Sequence, residues 1–476
     1  MFNRMSKALF NKVSDKDIEY LEKIVGSRNV STEEVDLITN AIDASPITFH
    51  KPEVVVWPDN AEQIVKILEY ANRVRIPVYP RGGGTSNVGT VPIYGGIVVS
   101  LRKMNKICEI DEENMLVRVE PGIIYDALNK ELEKFRLFFP PDPSSGAACT
   151  IGGMVASNAS GCRAVKYGTT REFVLGVDAV FPMVGLVKLG SSMSAKYSHN
   201  LDLSKLMVGS QGTLAVFTEI ALKLKVLPES VKTCVSIFNS TVSAIKSIYK
   251  IIRQGLDVAA LEFMDKNAIS GISEFENINP RSGEAILLIE TEGSEKASSE
   301  SIDKCIEILK NNEAVEIWLA NNKDEREKLW SARKGAHRLL QQLGKYTIES
   351  DVAIPLSSLE AAVEMAYTIG KKYQLKTSCL GHFGDGNLHI VWGTNDDLYG
   401  KELLHKAIDE LNKWAISIGG AVSGEHGIGT HKKQYMRIQY GGVYELLLKI
   451  KRNIDPRCIL SPGIIFDVEE IIFDQK

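Results

Sequence analysis

The chain has 476 residues, room for two or three domains, and its 44% hydrophobic and 24% charged residues are ordinary for a soluble globular protein. A formal net charge of -4 gives no basic footprint, which argues against nucleic acid as a partner. The seven cysteines (Cys108, Cys149, Cys162, Cys234, Cys305, Cys379 and Cys458) form no C-x-x-C pair, which argues against an iron–sulfur cluster or a disulfide framework and favours a reducing cytoplasm.

Met1–Val13 is basic but lacks a signal-peptide apolar core, and no run approaches the ~18 apolar residues of a spanning helix. Leu9 and Phe10 leave a peripheral membrane contact open, although a short helix packed on the body is the expected arrangement. Residues 16–45 read as a polar helical leader. Organisation begins at Pro52. Glu53–Trp57 is a β-rich run, Pro58-Asp59-Asn60 a turn and helix cap, and Ile64, Ile67, Leu68, Ala71 and Val74 follow at helical spacing. Ile76–Tyr79 completes a strand–helix–strand unit.

That unit ends in Pro80-Arg81-Gly82-Gly83-Gly84-Thr85-Ser86-Asn87. The glycines allow close backbone approach to a ligand, and bare N–H groups there form an anion nest. The loop is neither a Walker A loop nor a Rossmann turn. Ile97–Leu101 and Met115–Val119 read as strands and Gly122–Phe135 as a helix. A second loop, Pro140-Pro141-Asp142-Pro143-Ser144-Ser145-Gly146, runs into Cys149–Ala159, whose small residues leave room for a large flat cofactor. A third, Gly209-Ser210-Gln211-Gly212-Thr213-Leu214, precedes the strand Ala215–Thr218.

From Val231 the pattern becomes β-α-β-β-α-β: Thr233–Phe238, Val242–Ile252, Val258–Met264, Ala285–Glu290, Ser298–Lys310 and Ala314–Leu319. This predicts a ferredoxin-like layer. Residues 267–283 read as a mobile surface loop. A charged helix, Asp324–Gln342, follows, then an amphipathic helix over 357–373 and another over 399–418 that stops at Gly419-Gly420.

Five of the eight histidines fall between His382 and His431, too dense a cluster for an even spread. His382 and His389, seven apart, would face opposite ways on one straight strand. Gly384-Asp385-Gly386-Asn387 between them is a turn signal, so a hairpin sets both imidazoles side by side. Glu425, in Ser423-Gly424-Glu425-His426-Gly427, supplies a third ligand and leaves positions open for substrate. Such a nitrogen and oxygen set suits zinc, manganese or iron. Asn387 reads equally as a support for a ligand or as a left-handed turn residue.

Taken together, the three loops resemble the flavin domain of the vanillyl-alcohol oxidase/PCMH superfamily. Over about residues 50–470 the chain is similar to the FAD-linked D-lactate dehydrogenase and glycolate oxidase large-subunit family. The resemblance implies an α+β fold: a helical leader (1–49), a PCMH-type FAD-binding domain (50–228), a ferredoxin-like α+β substrate/cap domain with the metal-binding hairpin (229–418), and a helical C-terminal segment (419–476). The closing motif Asp455–Gly463 is expected to return toward the flavin. The resemblance also implies FAD, with its pyrophosphate on Arg81–Thr85 within the loop Pro80, Arg81, Gly82, Gly83, Gly84, Thr85, Ser86 and Asn87. Further contacts are implied from Pro141, Asp142, Thr150, Gly152, Gly153, Ala156, Asn158, Gly212 and Thr213. No histidine lies between Pro80 and Asn87, so the FAD is expected to be non-covalent. Relatives commonly carry Gly-Ser-Glu-Gly-Thr where this chain has Gln211. Their glycine-bearing hairpin near 182–190 reads Pro182-Met183-Val184-Gly185-Leu186 here. Arg333 is placed on the substrate carboxylate, in keeping with bidentate guanidinium–carboxylate geometry. Glu349–Pro355 lacks the lysine that some relatives acting on dicarboxylates carry, which speaks against 2-hydroxyglutarate.

The chemistry expected is oxidation of a small D-2-hydroxy acid, D-lactate before glycolate. The metal on His382, His389 and Glu425 acidifies the hydroxyl, His426 acts as base, and the flavin accepts hydride. Electrons then leave to a quinone, a cytochrome, an electron-transfer flavoprotein or an iron–sulfur subunit. Three alternatives stay open: an O2-using oxidase, a flavin-binding electron-transfer subunit of a larger complex, and a homodimeric assembly. An alkylglycerone-phosphate synthase relative would carry a histidine cluster in place of Ser423–Gly427. The expected location is cytoplasmic, with peripheral membrane association left open.

Overall fold

The computed structural model describes residues 9–45, 48–191, 194, 196, 201–269, 283–340 and 342–473. Two compact units divide the chain. The first comprises Met1–Ser160, Thr169–Leu227 and His426–Lys476, and the second Gly161–Gly168 and Pro228–Glu425. No helix among the described residues is long and apolar enough to cross a membrane.

In the first unit Asn60 caps the helix Ala61–Val74, its side chain accepting from Gln63 N at 3.0 Å. Ile64, Ile67, Leu68 and Ala71 form the buried stripe of that helix. Arg75, in the left-handed region, ends the helix, and the strand Val78–Arg81 follows. Val78–Arg81 and Val54–Val56 flank Ile97–Ser100 in parallel, and Val30–Ser31 adds an antiparallel edge. The leader is therefore partly sheet: its helices are Asp15–Val25 and Glu34–Thr39. Leu9 and Phe10 lie outside any helix and pack on a hydrophobic cluster, where the Phe10 ring sits 5.3 Å from that of Tyr94. A second, antiparallel sheet runs Ile107–Asp111, Leu116–Val119, Val216–Lys223, Val174–Phe181, Gly185–Gly190.

The closing motif is built into this unit. Leu460 bridges to Val78, and Ile459 and Leu460 join the core around Val54, Ile67 and Val99. Lys451, 1% exposed, donates to Asp455 Oδ2 at 2.6 Å and to the carbonyls of Thr213 and Leu460 at 2.7 and 2.9 Å. Asp455 in turn accepts from Ile459 N and Leu460 N. One buried ion pair thus fixes the closing motif to the loop that ends at Thr213.

The second unit is a seven-stranded antiparallel sheet in the order Ala314–Leu319, Ser230–Phe238, Ala285–Gly293, Val258–Asp265, Lys376–His382, Asn387–Thr394, Tyr346–Ala353. Its first four strands, with the helices Thr241–Arg253 and Glu295–Asn311, give the expected β-α-β-β-α-β order and ferredoxin-like layer. Those helices, together with Leu359–Tyr373 and Gly400–Ser417, cover one face through Leu261, Phe263, Leu388, Ile390 and Trp392. The helix Lys323–Leu340 packs on the other face, its Leu329, Ala332 and Ala336 against Met264, Leu380 and Val391. The strands alternate, so each sends one set of side chains to each face. Of the expected surface loop 267–283, Lys266–Ile269 is a short helix and residues 270–282 lie outside the described residues.

Lys451→Met is expected to lower stability by roughly 3–5 kcal/mol, because it strands a buried aspartate without its cation. Lys451→Met/Asp455→Leu should recover most of that loss. Urea midpoints for both variants measure this, and equal midpoints for the single and double variants would contradict it.

Candidate active site

In the first unit three loops distant in sequence form one surface. Gly82 and Gly83 lie so close to the second loop that a Cβ would overlap Thr150 Oγ1 and the Ala148 carbonyl. Gly212 (φ 69°) rests on Pro80 and Ser461, where a Cβ would come within 3.3 Å of both. Gly209 N and Gln211 N donate to the carbonyls of Val155 and Ala156 at 2.9 and 2.8 Å, tying the third loop to the helix Ile151–Ser157. Thr150 caps that helix by accepting from Gly153 N at 3.3 Å. Asn158 closes it in the left-handed region, and its side chain accepts from Thr169 Oγ1 and Arg171 N at 2.9 Å each.

This surface suits an anionic cofactor. Among the described residues, the N–H groups of Gly83, Gly84, Thr85, Ser86 and Asn87 donate to no acceptor, and Ser210 Oγ is buried without a partner. The Arg81 guanidinium is held by the carbonyls of Thr39 and Ile42 at 3.2 and 2.7 Å, and the backbone N–H groups of the loop are the donors available to an anion. Pro141, Gly152 and Thr213 are buried, whereas Asp142, Gly153 and Ala156 retain partial exposure.

In the second unit Lys376–His382 and Asn387–Thr394 form the expected hairpin, with His382 opposite Asn387 and Leu380 opposite His389. The two histidines therefore share the face occupied by Leu380 and Val391. Their rings stand 5.4 Å apart, edge to face. Both turn Nε2 to the same oxygen, Glu425 Oε1, at 3.6 Å for His382 and 3.3 Å for His389. Each also turns Nδ1 to a carboxylate: His382 to Glu262 at 2.7 Å and His389 to Glu349 at 3.1 Å. The potential ligand atoms of His382, His389 and Glu425 lie within 4.8 Å of one another.

Asp351, 1% exposed, holds Glu425 in place. It accepts from Ser423 Oγ at 2.9 Å, Gly424 N at 3.1 Å, Glu425 N at 3.2 Å and Asn387 Nδ2 at 2.7 Å. Asn387 is therefore a support: the left-handed turn position falls to Gly386 (φ 85°). The bridge from Ala421 to Ala353 fixes the start of the same loop.

Cys162, Glu262 and His382 form a second cluster of potential ligand atoms. Arg333 Nη2 lies 2.6 Å from Glu262 Oε2, so a guanidinium already neutralises that cluster. The set His382, His389 and Glu425 is the better fit to a divalent ion, because two imidazole nitrogens converge there on one carboxylate. Arg333 is 4% exposed, and among the described residues its Nε is buried without an acceptor, as suits a side chain that takes an anionic ligand.

The charges are strongly coupled. Burial opposes the charged form of His382, yet Glu262, Cys162 and Glu425 hold its pKa well above 6.5. Burial likewise opposes charging of His389, but Glu349 and Glu425 raise it to about 9. Burial pushes Asp385 up to about 6 against the pull of His382.

His426, next along the chain from Glu425, belongs to the first unit. Its loop is clamped there. Gly429 N donates to Gln211 Oε1 at 2.9 Å, Thr430 N to Val88 O at 2.9 Å and Ile465 N to Gly429 O at 3.1 Å. Gly427 (φ 85°) has no room for a Cβ beside Gln211 Nε2. The amide at 211, where the resemblance expects a carboxylate, thus serves the loop that carries His426.

Sequence reasoning missed Glu262, Glu349 and Asp351. A signal existed for Glu262, a lone charge inside an otherwise apolar strand, but on its own such a residue reads equally as an exposed one.

The family of FAD binding domains matches residues 52–190, and the family of C-terminal domains of FAD linked oxidases matches residues 227–465. Glycolate oxidase subunit GlcD of Bacillus subtilis is 35% identical over 459 residues, covering 95% of this chain and 97% of that protein. D-lactate dehydrogenase of Anaerostipes hadrus is 33% identical over 476 residues, covering 97% and 99%. Among solved structures, substrate-bound p-cresol methylhydroxylase shares the fold at a TM-score of 0.80 and 17% identity, covering 96% of this chain and 98% of that one.

Gly424→Ala is expected to weaken zinc binding at least ~10-fold, on the scale of disturbed ligand supports, while flavin content stays unchanged. Its Cβ would overlap Asn387 Nδ2 and lie 2.8 Å from Asp351 Oδ1. A wild-type zinc titration in this variant would show that the loop is not held in this way.

Proposed function

We propose that this chain, which belongs to the FAD-linked oxidase family, oxidises a small D-2-hydroxy acid to the 2-oxo acid, with D-lactate first and glycolate second. The observation that carries this reading is the convergence of His382 Nε2 and His389 Nε2 on Glu425, in the same unit as a buried arginine with a donor unanswered. The named relatives, a glycolate oxidase subunit and a D-lactate dehydrogenase, support the same substrate class.

The backbone of Gly82–Asn87 and the loops from Pro141, Thr150 and Gly212 would hold FAD non-covalently, and the bound flavin would supply the hydride acceptor. A divalent ion on His382, His389 and Glu425 supplies the Lewis acidity that makes an α-hydroxyl a workable acid. Arg333 binds the substrate carboxylate. Asp351 keeps Glu425 in register with the two histidines. His426 takes the hydroxyl proton, and the hydrogen on C2 leaves with its electron pair. An external acceptor would take up the two electrons released. The name of the Bacillus subtilis relative favours a second arrangement, in which the chain is the flavin-bearing subunit of a larger complex.

Anaerobic flavin bleaching tests the reading. D-lactate or glycolate should bleach the flavin, L-lactate and 2-hydroxyglutarate should not, and a chelator should abolish the reaction. Bleaching that survives thorough chelation would remove the metal from the chemistry. His426→Ala should retain flavin and slow its reduction by ~10²–10⁴-fold; wild-type rates would remove the base assignment.

Both histidines carry protons in the metal-free protein at pH 7, since both pKa values are raised above the ordinary 6.5. Zinc must displace those protons, so binding at pH 7 should release protons to the buffer and strengthen as pH rises toward about 9. Calorimetry in two buffers of different ionisation heat measures the release, and identical heats would contradict it.

A further inference from the structure

Glu262 lies in the middle of the strand Val258–Asp265, every residue of which is buried, and is itself 0% exposed. It shares its face with Met264 and with Leu380 and Val391 of neighbouring strands. An apolar residue at this position would continue that packing. A carboxylate so placed costs several kcal/mol unless it is paired, and even a well-paired buried ion pair is commonly no more stabilising than hydrophobic side chains of the same volume. Stability alone therefore gives no account of Glu262, whereas geometry does. One oxygen meets His382 Nδ1 at 2.7 Å, and the other meets Arg333 Nη2 at 2.6 Å.

We propose that Glu262 is a shared positioning residue, joining the metal ligand His382 to the carboxylate anchor Arg333 through its two oxygens. This rests on the function proposed above for those two residues. An ionised carboxylate can only accept, so Nδ1 of His382 holds its proton throughout, and the proton the ion displaces is the one on Nε2, which is directed toward Glu425. The same carboxylate fixes the Arg333 guanidinium while leaving Nε for a ligand. Arg333 stands on the helix Lys323–Leu340 and His382 on a strand, so no backbone ladder links them. Glu262 sets the separation between the ion and the cation that takes the carboxylate. That separation favours acids whose hydroxyl and carboxylate are on adjacent carbons and penalises 3-hydroxy acids. Glu349 lies 3.1 Å from His389, whereas Glu262 reaches both His382 and Arg333, and it is this double contact that couples the two.

The test uses the flavin-loaded full chain and zinc as probe, without substrate. Glu262→Gln keeps the size but cannot hold two cations. Its zinc affinity is expected to fall by ~10–100-fold, with flavin content unchanged and KM for the 2-hydroxy acid raised. Glu262→Gln leaves Arg333 a lone buried cation; if it fails to fold, Glu262→Gln/Arg333→Met, which removes both charges, carries the test with the same expected loss of zinc affinity. Met264→Ala, a cavity on the same face, is expected to lower the melting temperature and leave zinc affinity unchanged. Wild-type zinc affinity in the Glu262 variants overturns the inference alone, and so does an equal loss in Met264→Ala. A wild-type chain that binds no zinc overturns the underlying metal reading instead.

Discussion

A carboxylate withdrawn from water must find cations or N–H donors close by, and the second unit is arranged around that requirement. One face of its sheet carries Glu262, Glu290, Glu292 and Asp351, all nearly or wholly inaccessible. Each has its answer. Glu262 takes His382 and Arg333, and Asp351 takes the backbone of Gly424 and Glu425. Glu290 takes Arg163, Thr233 and Trp330, and Glu292 takes Arg163, Lys166 and Tyr167. Such groups fix one arrangement of their partners, because any other leaves a charge unpaired in a medium of low polarity. They also account for the eight residues Gly161–Gly168, which leave one unit to join the other: Arg163, Lys166 and Tyr167 go where the acids are.

The first unit solves a different problem with different chemistry. Its working surface is main chain, brought close by residues that have no side chain to interfere. Gly82 and Gly83 lie on the second loop, Gly212 lies on Pro80, and the third loop is stitched to the helix beneath it. Specific side chains act here mainly as fasteners. Asn158 secures Thr169 and Arg171, Arg81 secures the carbonyls of Thr39 and Ile42, and Gln211 secures Gly429.

Local signals made much of this legible in the sequence. The Gly-Asp-Gly-Asn turn has one simple consequence for two histidines seven apart, and the hairpin follows. The alternation of strands and helices after Val231 dictates a split βαβ layer, since few other orders bury both helix stripes on one sheet face. The rest depended on distance in sequence. Whether Glu262 faces water or a histidine 120 residues later is not a property of its strand. Asn387 had two readings because its partner, Asp351, was itself unread. That the Arg81 guanidinium donates to the carbonyls of Thr39 and Ile42 is likewise not a property of its own loop. The excursion of Gly161–Gly168 leaves no trace in composition, because the acids that attract it lie on strands more than 100 residues downstream.

The ion pair at Lys451 has a consequence for how the protein is made. Thr213 and Lys451 are 238 residues apart, an interval that takes a ribosome roughly 12–48 s at about 5–20 residues per second. All of Pro228–Glu425 emerges within that interval, and the Gly161–Gly168 it requires has emerged before the interval begins. The unit that starts second can therefore finish first, while the three loops of the first unit wait, half-assembled, for a clasp still being synthesised. Completion of the first unit then becomes a late event in biogenesis.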